Sequence, residues 1–74
     1  MQWTPDEYGG YIAEPDDDYW MTVGLDPSGT MVQWDLHLRT GLTFDDRNVV
    51  DFSCCPTLEQ AKAEAEARWR KETE

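Results

Sequence analysis

The sequence predicts an α+β fold, in which an antiparallel sheet of three to four strands carries one C-terminal helix packed on one face. Two observations lead to this prediction. Residues 19–25 and 32–38 alternate between apolar and polar side chains on either side of a turn sequence, which is typical of a β-hairpin. Residues 57–72 instead place apolar side chains three and four positions apart, which is typical of an amphipathic helix. At 74 residues, the chain is expected to form a single domain.

The first ten residues are predicted to form an N-terminal arm, and the sheet is expected to span residues 11–53. A short edge strand is expected at Tyr11–Ala13. It should end there, because Pro15 and the acidic residues around it interrupt a strand.

The hairpin turn is predicted at residues 26–29, where Asp26, Pro27 and Gly29 occupy positions that these residue types favour in a β-turn. Two registers are open, with a loop of either three or four residues. The three-residue loop would pair Thr22 with Trp34 and Gly24 with Val32. The apolar match favours the four-residue loop, which pairs Val23 with Val32, Met21 with Trp34, and Tyr19 with Leu36.

After this hairpin, residues 45–48 suit a second turn. Residues 49–52 are predicted to form a strand, and residues 42–44 at most a short one. Three aromatic residues are expected in the core, namely Tyr19, Trp34 and Trp69.

The helix is predicted over residues 57–72. Thr57 and Gln60 match the capping box, in which the two side chains satisfy backbone N–H groups at the start of a helix. One apolar stripe should face the sheet, formed by Leu58, Ala61, Ala65 and Trp69. Ion pairs with i, i+4 spacing are expected between Glu64 and Arg68 and between Glu66 and Arg70.

The charge is the strongest indication of function. The chain has 16 acidic residues against 6 basic ones, a net charge of −10. Residues 1–56 hold eleven of the acidic residues and two of the basic ones, so the excess belongs to the strands and loops. Such a charge repels nucleic acid and anionic membranes, so we expect neither to bind directly and expect a basic protein surface as the partner. A solubilising surface without a specific partner would explain the same charge.

The candidate partner-binding residues are the clustered acids and one tryptophan: Glu14, Asp16, Asp17, Asp18, Trp20, Asp35, Asp45 and Asp46. Carboxylates on alternate strand residues lie about 6.6 Å apart. This is close to the spacing of phosphates along a nucleic-acid strand, so such a surface can occupy a groove built for phosphates.

Trp20 is expected on the sheet face away from the core, near Met31 and Asp35. Two interpretations stay open. Either Trp20 is an exposed contact residue, or the N-terminal arm, with Trp3 and Tyr8, covers it.

The sequence predicts no enzyme, no metal and no cofactor. His37, Cys54 and Cys55 lack the spacing of a zinc site, and the chain contains no catalytic motif. The adjacent cysteines are expected to be reduced, with at least one packed as a small apolar side chain. Without an apolar run of membrane length or a signal peptide, we expect the protein to be cytoplasmic.

The short acidic chain, the tryptophan-rich hairpin and a helix beginning Thr57-Leu58-Glu59-Gln60 resemble small phage and prophage proteins. Among these, the chain resembles inhibitors that mimic DNA, such as the anti-CRISPR proteins. The resemblance implies an inhibitor that acts in the host cytoplasm and occupies the basic channel of a nucleic-acid-binding enzyme, either a CRISPR effector or a nuclease.

The residues leave two other functions open. One is an adaptor or regulatory subunit that binds through the aromatic hairpin. The other is a homodimer that pairs exposed strand edges. The chain is therefore expected to be either a monomer or a homodimer.

Overall fold

A computed structural model describes residues 1–7, 9–39 and 48–74. Within these residues the elements are β1 (Thr4–Pro5), β2 (Tyr11–Ala13), β3 (Tyr19–Leu25), β4 (Val32–Leu38), β5 (Val49–Cys55) and α1 (Leu58–Thr73). The strands form one antiparallel sheet in the order β1-β2-β3-β4-β5. The α+β class is confirmed, but the sheet has five strands rather than three to four.

The additional strand is β1, which lies in the segment expected to be an arm and pairs with β2. Asp6 closes the connection between them. Its backbone N–H donates to the Gly10 carbonyl oxygen at 3.0 Å, and its carboxylate accepts the Gly10 N–H at 2.8 Å. A Cβ atom at Gly10 would collide with the carbonyl oxygen of Val23. Glycine is therefore required where this connection approaches β3.

The β3–β4 hairpin forms where predicted, but its register differs by two residues from the expected one. The observed apolar pairs are Tyr19 with Leu38, Met21 with Leu36, Val23 with Trp34, and Leu25 with Val32. Because strand side chains alternate with a period of two, this shift leaves every side chain on its predicted face. The connecting loop therefore spans residues 26–31 and has six residues rather than four.

Asp26 accounts for the longer loop. The predicted turn is present, since the Gly29 N–H donates to the Asp26 carbonyl oxygen at 2.9 Å. The Asp26 N–H also donates to the Met31 carbonyl oxygen at 2.9 Å. The Asp26 carboxylate accepts the Ser28 hydroxyl at 2.7 Å and the Thr30 N–H at 3.3 Å. These bonds, led by the one from Ser28, lower the pKa of Asp26 and hold two further residues in the loop.

The helix begins as predicted, because the Gln60 N–H donates to the Thr57 hydroxyl oxygen at 3.2 Å. The Gln60 side chain does not complete a capping box and donates instead to the Glu64 carboxylate at 3.0 Å.

The two predicted ion pairs along the helix are replaced by other contacts, one within the helix and two to the rest of the fold. Arg68 pairs with Asp51 on β5 at 2.9 Å and with Glu72 at 2.7 Å. Glu66 accepts the indole N–H of Trp3 at 2.9 Å. These side chains therefore connect α1 to the sheet and to the N-terminal residues.

The helix packs on the sheet through small side chains. Ala61 and Ala65 are fully buried, and Leu58 and Trp69 pack against the core at either end, which confirms the predicted stripe. The sheet contributes the remaining buried core residues, namely Ala13, Met21, Val23, Trp34, Leu36 and Cys55. Each large apolar side chain buried here contributes about 1.5–3 kcal/mol.

The sheet face opposite α1, called the open face, carries the other strand side chains. The registers place these residues on it: Thr4, Ile12, Trp20, Thr22, Gln33, Asp35, His37, Val49, Phe52 and Cys54. The register between β4 and β5 shifts at Val50, which forms a bulge. Leu36 pairs with Asp51 on one side of the bulge, and His37 pairs with Val49 on the other. The predicted strand at residues 49–52 is confirmed and extends to Cys55, whereas residues 42–44 lie outside the described residues.

Candidate functional site

Asp16 organises the acidic loop, residues 14–18, which connects β2 to β3. One oxygen of its carboxylate accepts the N–H groups of Asp18 and Tyr19, both at 2.8 Å. The other oxygen accepts the indole N–H of Trp69 at 3.0 Å. The first two bonds form an Asx turn, in which a short carboxylate takes the place of a backbone acceptor. Asp16 is therefore a structural residue that ties the loop to the C-terminal part of α1.

Asp17 and Asp18 are the exposed carboxylates of the acidic loop. Among the residues that the structure describes, neither carboxylate has a hydrogen bond or an ion pair. The backbone beneath them is held on both sides, because the Asp18 carbonyl oxygen accepts the Arg39 N–H at 2.7 Å. The loop thus presents two adjacent negative charges from a fixed backbone.

Cations limit the extent of this acidic surface. Arg39 pairs with Glu14 at 2.8 Å, and the two side chains are 26% and 52% exposed. An ion pair this exposed contributes at most about 1 kcal/mol, although it neutralises part of the Glu14 charge. A shallow pocket at the same end of the sheet is lined by Glu14, Trp69 and Arg70. Asp17 and Asp18 are therefore the part of the acidic loop best placed to contact a partner.

Trp20 is buried, so the expectation of an exposed contact residue is wrong. Its side chain lies on the open face, as predicted, but is only 6% exposed. It stacks on His37, with ring centroids 3.8 Å apart and planes at 10°. Trp3 is not its cover, because Trp3 lies on the helix side with its indole N–H on Glu66. Tyr8, the other expected cover, is outside the described residues.

Asp35 occupies a separate position on the open face. Its half-buried carboxylate accepts the Gln33 side-chain amide at 3.0 Å and the Thr22 hydroxyl at 3.3 Å. Thr22 is four residues beyond Asp18 along β3, which corresponds to about 13 Å. The structure therefore does not join Asp35 to the acidic loop.

Asp45 and Asp46 fall outside the described residues.

The open face and the helix side differ in charge. None of the described strand residues is a lysine or an arginine. On the helix side, the Lys62 ammonium lies 4.0 Å from the centroid of the Tyr11 ring, and Arg68 pairs with Asp51. The exposed carboxylates near the open face therefore face solvent without a neighbouring strand cation.

Phe52 is a candidate contact residue that the sequence did not reveal. It lies on the open face directly across from Asp35 and is 61% exposed. The alternation of residues in β5 indicates this outward position of Phe52, because Asp51 and Ser53 pair with the buried Leu36 and Trp34 on the neighbouring strand. The two polar residues therefore occupy the helix side, where Arg68 pairs with Asp51, and the aromatic ring points outward.

The two cysteines point to opposite faces of β5. Cys55 is 1% exposed in the core, and Cys54 is exposed on the open face. Burial, aided by the nearby Glu64 carboxylate, raises the pKa of the Cys55 thiol to about 11. Because adjacent strand side chains diverge, the two thiols do not form a joint ligand pair.

The described residues contain neither a metal-binding cluster nor a membrane-spanning helix. No group of three His, Cys, Asp or Glu side chains converges there in an arrangement that would hold a metal ion. In the same part of the chain, no helix has both the length and the apolar character needed to cross a membrane.

Comparisons with protein-family models, with curated proteins and with solved structures gave no match to this chain. A functional assignment therefore depends on the charge, exposure and geometry of its own residues.

Proposed function

We propose that the protein is a small acidic inhibitor, encoded by a phage or another mobile element, that blocks a nucleic-acid-binding host defence enzyme. In this proposal it occupies the basic channel of a CRISPR effector or nuclease as a nucleic-acid mimic. The observation that carries the proposal is the presentation of Asp17 and Asp18, which are exposed and have no partner among the described residues, on a loop that Asp16 fixes. A fixed loop loses little conformational freedom on binding, which favours affinity.

The overall charge supports the same proposal. A net charge of −10 on 74 residues generates a field that attracts a basic surface over long range and speeds association. Because salt screens this field, binding should weaken as ionic strength rises. The proposed partner is thus a basic protein surface, with no direct contact to nucleic acid or membrane, and the inhibitor needs no cofactor.

The experiment that tests this proposal is a pull-down of the tagged full chain from bacterial lysate at low and high salt, with bound proteins identified by mass spectrometry. The test variant is Asp17→Asn/Asp18→Asn. The matched control is Glu59→Gln/Glu74→Gln, which removes the same amount of charge from two exposed residues of the helical region.

We expect the unmodified chain to capture a nucleic-acid-binding enzyme at low salt and to release it at high salt. The test variant should fail to capture this enzyme, and the control variant should still capture it. A partner without a basic groove, retained equally by both variants at high salt, would contradict the proposal.

The second candidate function is an adaptor or regulatory subunit that binds through an aromatic surface. The exposure of Phe52 favours it, although Trp20, the residue first expected to make the contact, is buried. Adaptor binding should resist salt and be lost in Phe52→Ser, whereas Asp17→Asn/Asp18→Asn should bind normally.

A further inference from the structure

Asp35 and Phe52 form a carboxylate–aromatic pair on the open face. They are direct cross-strand partners on β4 and β5, and such partners have Cβ atoms about 4.5–5.5 Å apart. The Asp35 carboxylate is oriented by the Gln33 amide and the Thr22 hydroxyl. Phe52 is 61% exposed, so its ring is accessible to a group that also reaches Asp35.

A groove of about 580 Å³ lies on the β3 side of Asp35 and has Asp35 in its lining, whereas Phe52 lies on the β5 side of Asp35. Glycines create much of its space, because Gly24 has no side chain and a Cβ atom added there would meet only the Cα of Gly10, at 3.8 Å. Asp6 supplies a second carboxylate to the lining. The groove has room for an extended side chain whose head group reaches Asp35.

The charges on this face favour a cationic head group. Among the described residues no cation pairs with Asp35, and none of the strand residues is a lysine or an arginine. A contact of the relevant type occurs elsewhere in the described part of the chain, where Lys62 lies over the Tyr11 ring. A cation supplied by another protein would therefore meet no competing cation from the described strands at Asp35.

We propose that Asp35 and Phe52 form a second contact site that binds an arginine side chain of a basic protein partner. A guanidinium group is planar, so it can donate to the carboxylate and stack on the ring together, whereas a lysine ammonium acts as a point charge. This inference rests on the proposed function in one respect, namely that the partner is a basic protein. It adds the open face to the contact surface and selects arginine over lysine.

The test is a titration of the ¹⁵N-labelled full chain with nona-arginine and with nona-lysine peptides. The readout is the change in the amide chemical shifts, recorded by NMR at each peptide concentration. We expect nona-arginine to shift the amides of Gly24, Asp35 and Phe52, and to bind more tightly there than nona-lysine. Phe52→Ser and Asp35→Asn should each weaken binding at this face by about two- to fivefold. Leu38→Ser is the control, because Leu38 is an exposed apolar residue of β4 on the other face, and it should leave binding unchanged.

The outcomes separate this inference from the proposed function. Shifts confined to Asp17 and Asp18, with the open face unmoved, would overturn the Asp35–Phe52 site and leave the acidic loop as the binding surface. Equal binding of the two peptides at the open face would overturn the selection of arginine. Absence of shifts at both surfaces would contradict both proposals.

Discussion

Replacing Asp16 with alanine is expected to destabilise the protein by about 2–3 kcal/mol. The carboxylate accepts three hydrogen bonds, from the N–H groups of Asp18 and Tyr19 at 2.8 Å and from the Trp69 indole at 3.0 Å. A net contribution of about 1 kcal/mol for each bond gives about 3 kcal/mol. Water replaces some of the lost partners in this partly exposed loop, which lowers the expected loss.

Thermal unfolding monitored by circular dichroism measures this loss of stability. The loss should lower Tm by about 10–20 °C in a domain of this size. Asp16→Asn keeps an acceptor for the two backbone N–H groups but places an NH₂ group opposite the indole, so it should lose about 1 kcal/mol. Asp17→Ala removes a carboxylate that has no partner among the described residues and should change stability by no more than about 0.5 kcal/mol. If Asp16→Ala is no less stable than Asp17→Ala, Asp16 does not fix the acidic loop.

Four further predictions concern packing and the thiols. A thiol-alkylating reagent at pH 8 should label Cys54 and spare Cys55 in the native protein, and mass spectrometry that finds both labelled would contradict the burial of Cys55. Because the pKa of Cys55 is raised to about 11 from 9.0, chemical denaturation should show a stability contribution that is retained below pH 9 and lost as the pH rises towards 11. Gly10→Ala should lower stability by about 1–3 kcal/mol through collision with β3, and an unchanged Tm would refute the close approach. Ala65→Leu should cost about 1–3 kcal/mol in thermal melts, whereas the exposed Ala63→Leu should change little; equal effects would be inconsistent with the packing of α1.

The strands could be predicted from the sequence because apolar alternation specifies which side chains share a face. The same pattern cannot distinguish registers that differ by two residues, since both keep Val23 and Trp34 on the core face. The choice depends on Asp26, whose hydrogen bonds hold Thr30 and Met31 in the loop. A carboxylate that organises a loop in this way has no periodic signature.

The strand β1 could not be predicted for a different reason. Two residues are too few to show a period, and Pro5 lowers strand propensity. Proline is nevertheless tolerated at a sheet edge, which is where β1 lies. Its pairing with β2 depends on the connection that Asp6 and Gly10 close.

The candidate site was predictable only in part. Asp16, Asp17 and Asp18 are identical side chains in sequence, and Asp16 differs from the others because it meets Trp69, 53 positions away. Trp20 and Phe52 both lie on the open face, yet one is 6% and the other 61% exposed. Alternation identifies a face and does not reveal which part of that face is covered, so long-range contacts decide which residues can meet a partner.

The most direct test of the proposed inhibition is a competition experiment on the enzyme recovered in the pull-down. Binding of that enzyme to its nucleic acid is measured at low salt while the concentration of this protein is raised. The proposal predicts that protein and nucleic acid exclude each other, that Asp17→Asn/Asp18→Asn displaces less nucleic acid, and that Glu59→Gln/Glu74→Gln displaces as much as the unmodified chain. A ternary complex, in which the enzyme holds both at full occupancy, would contradict it.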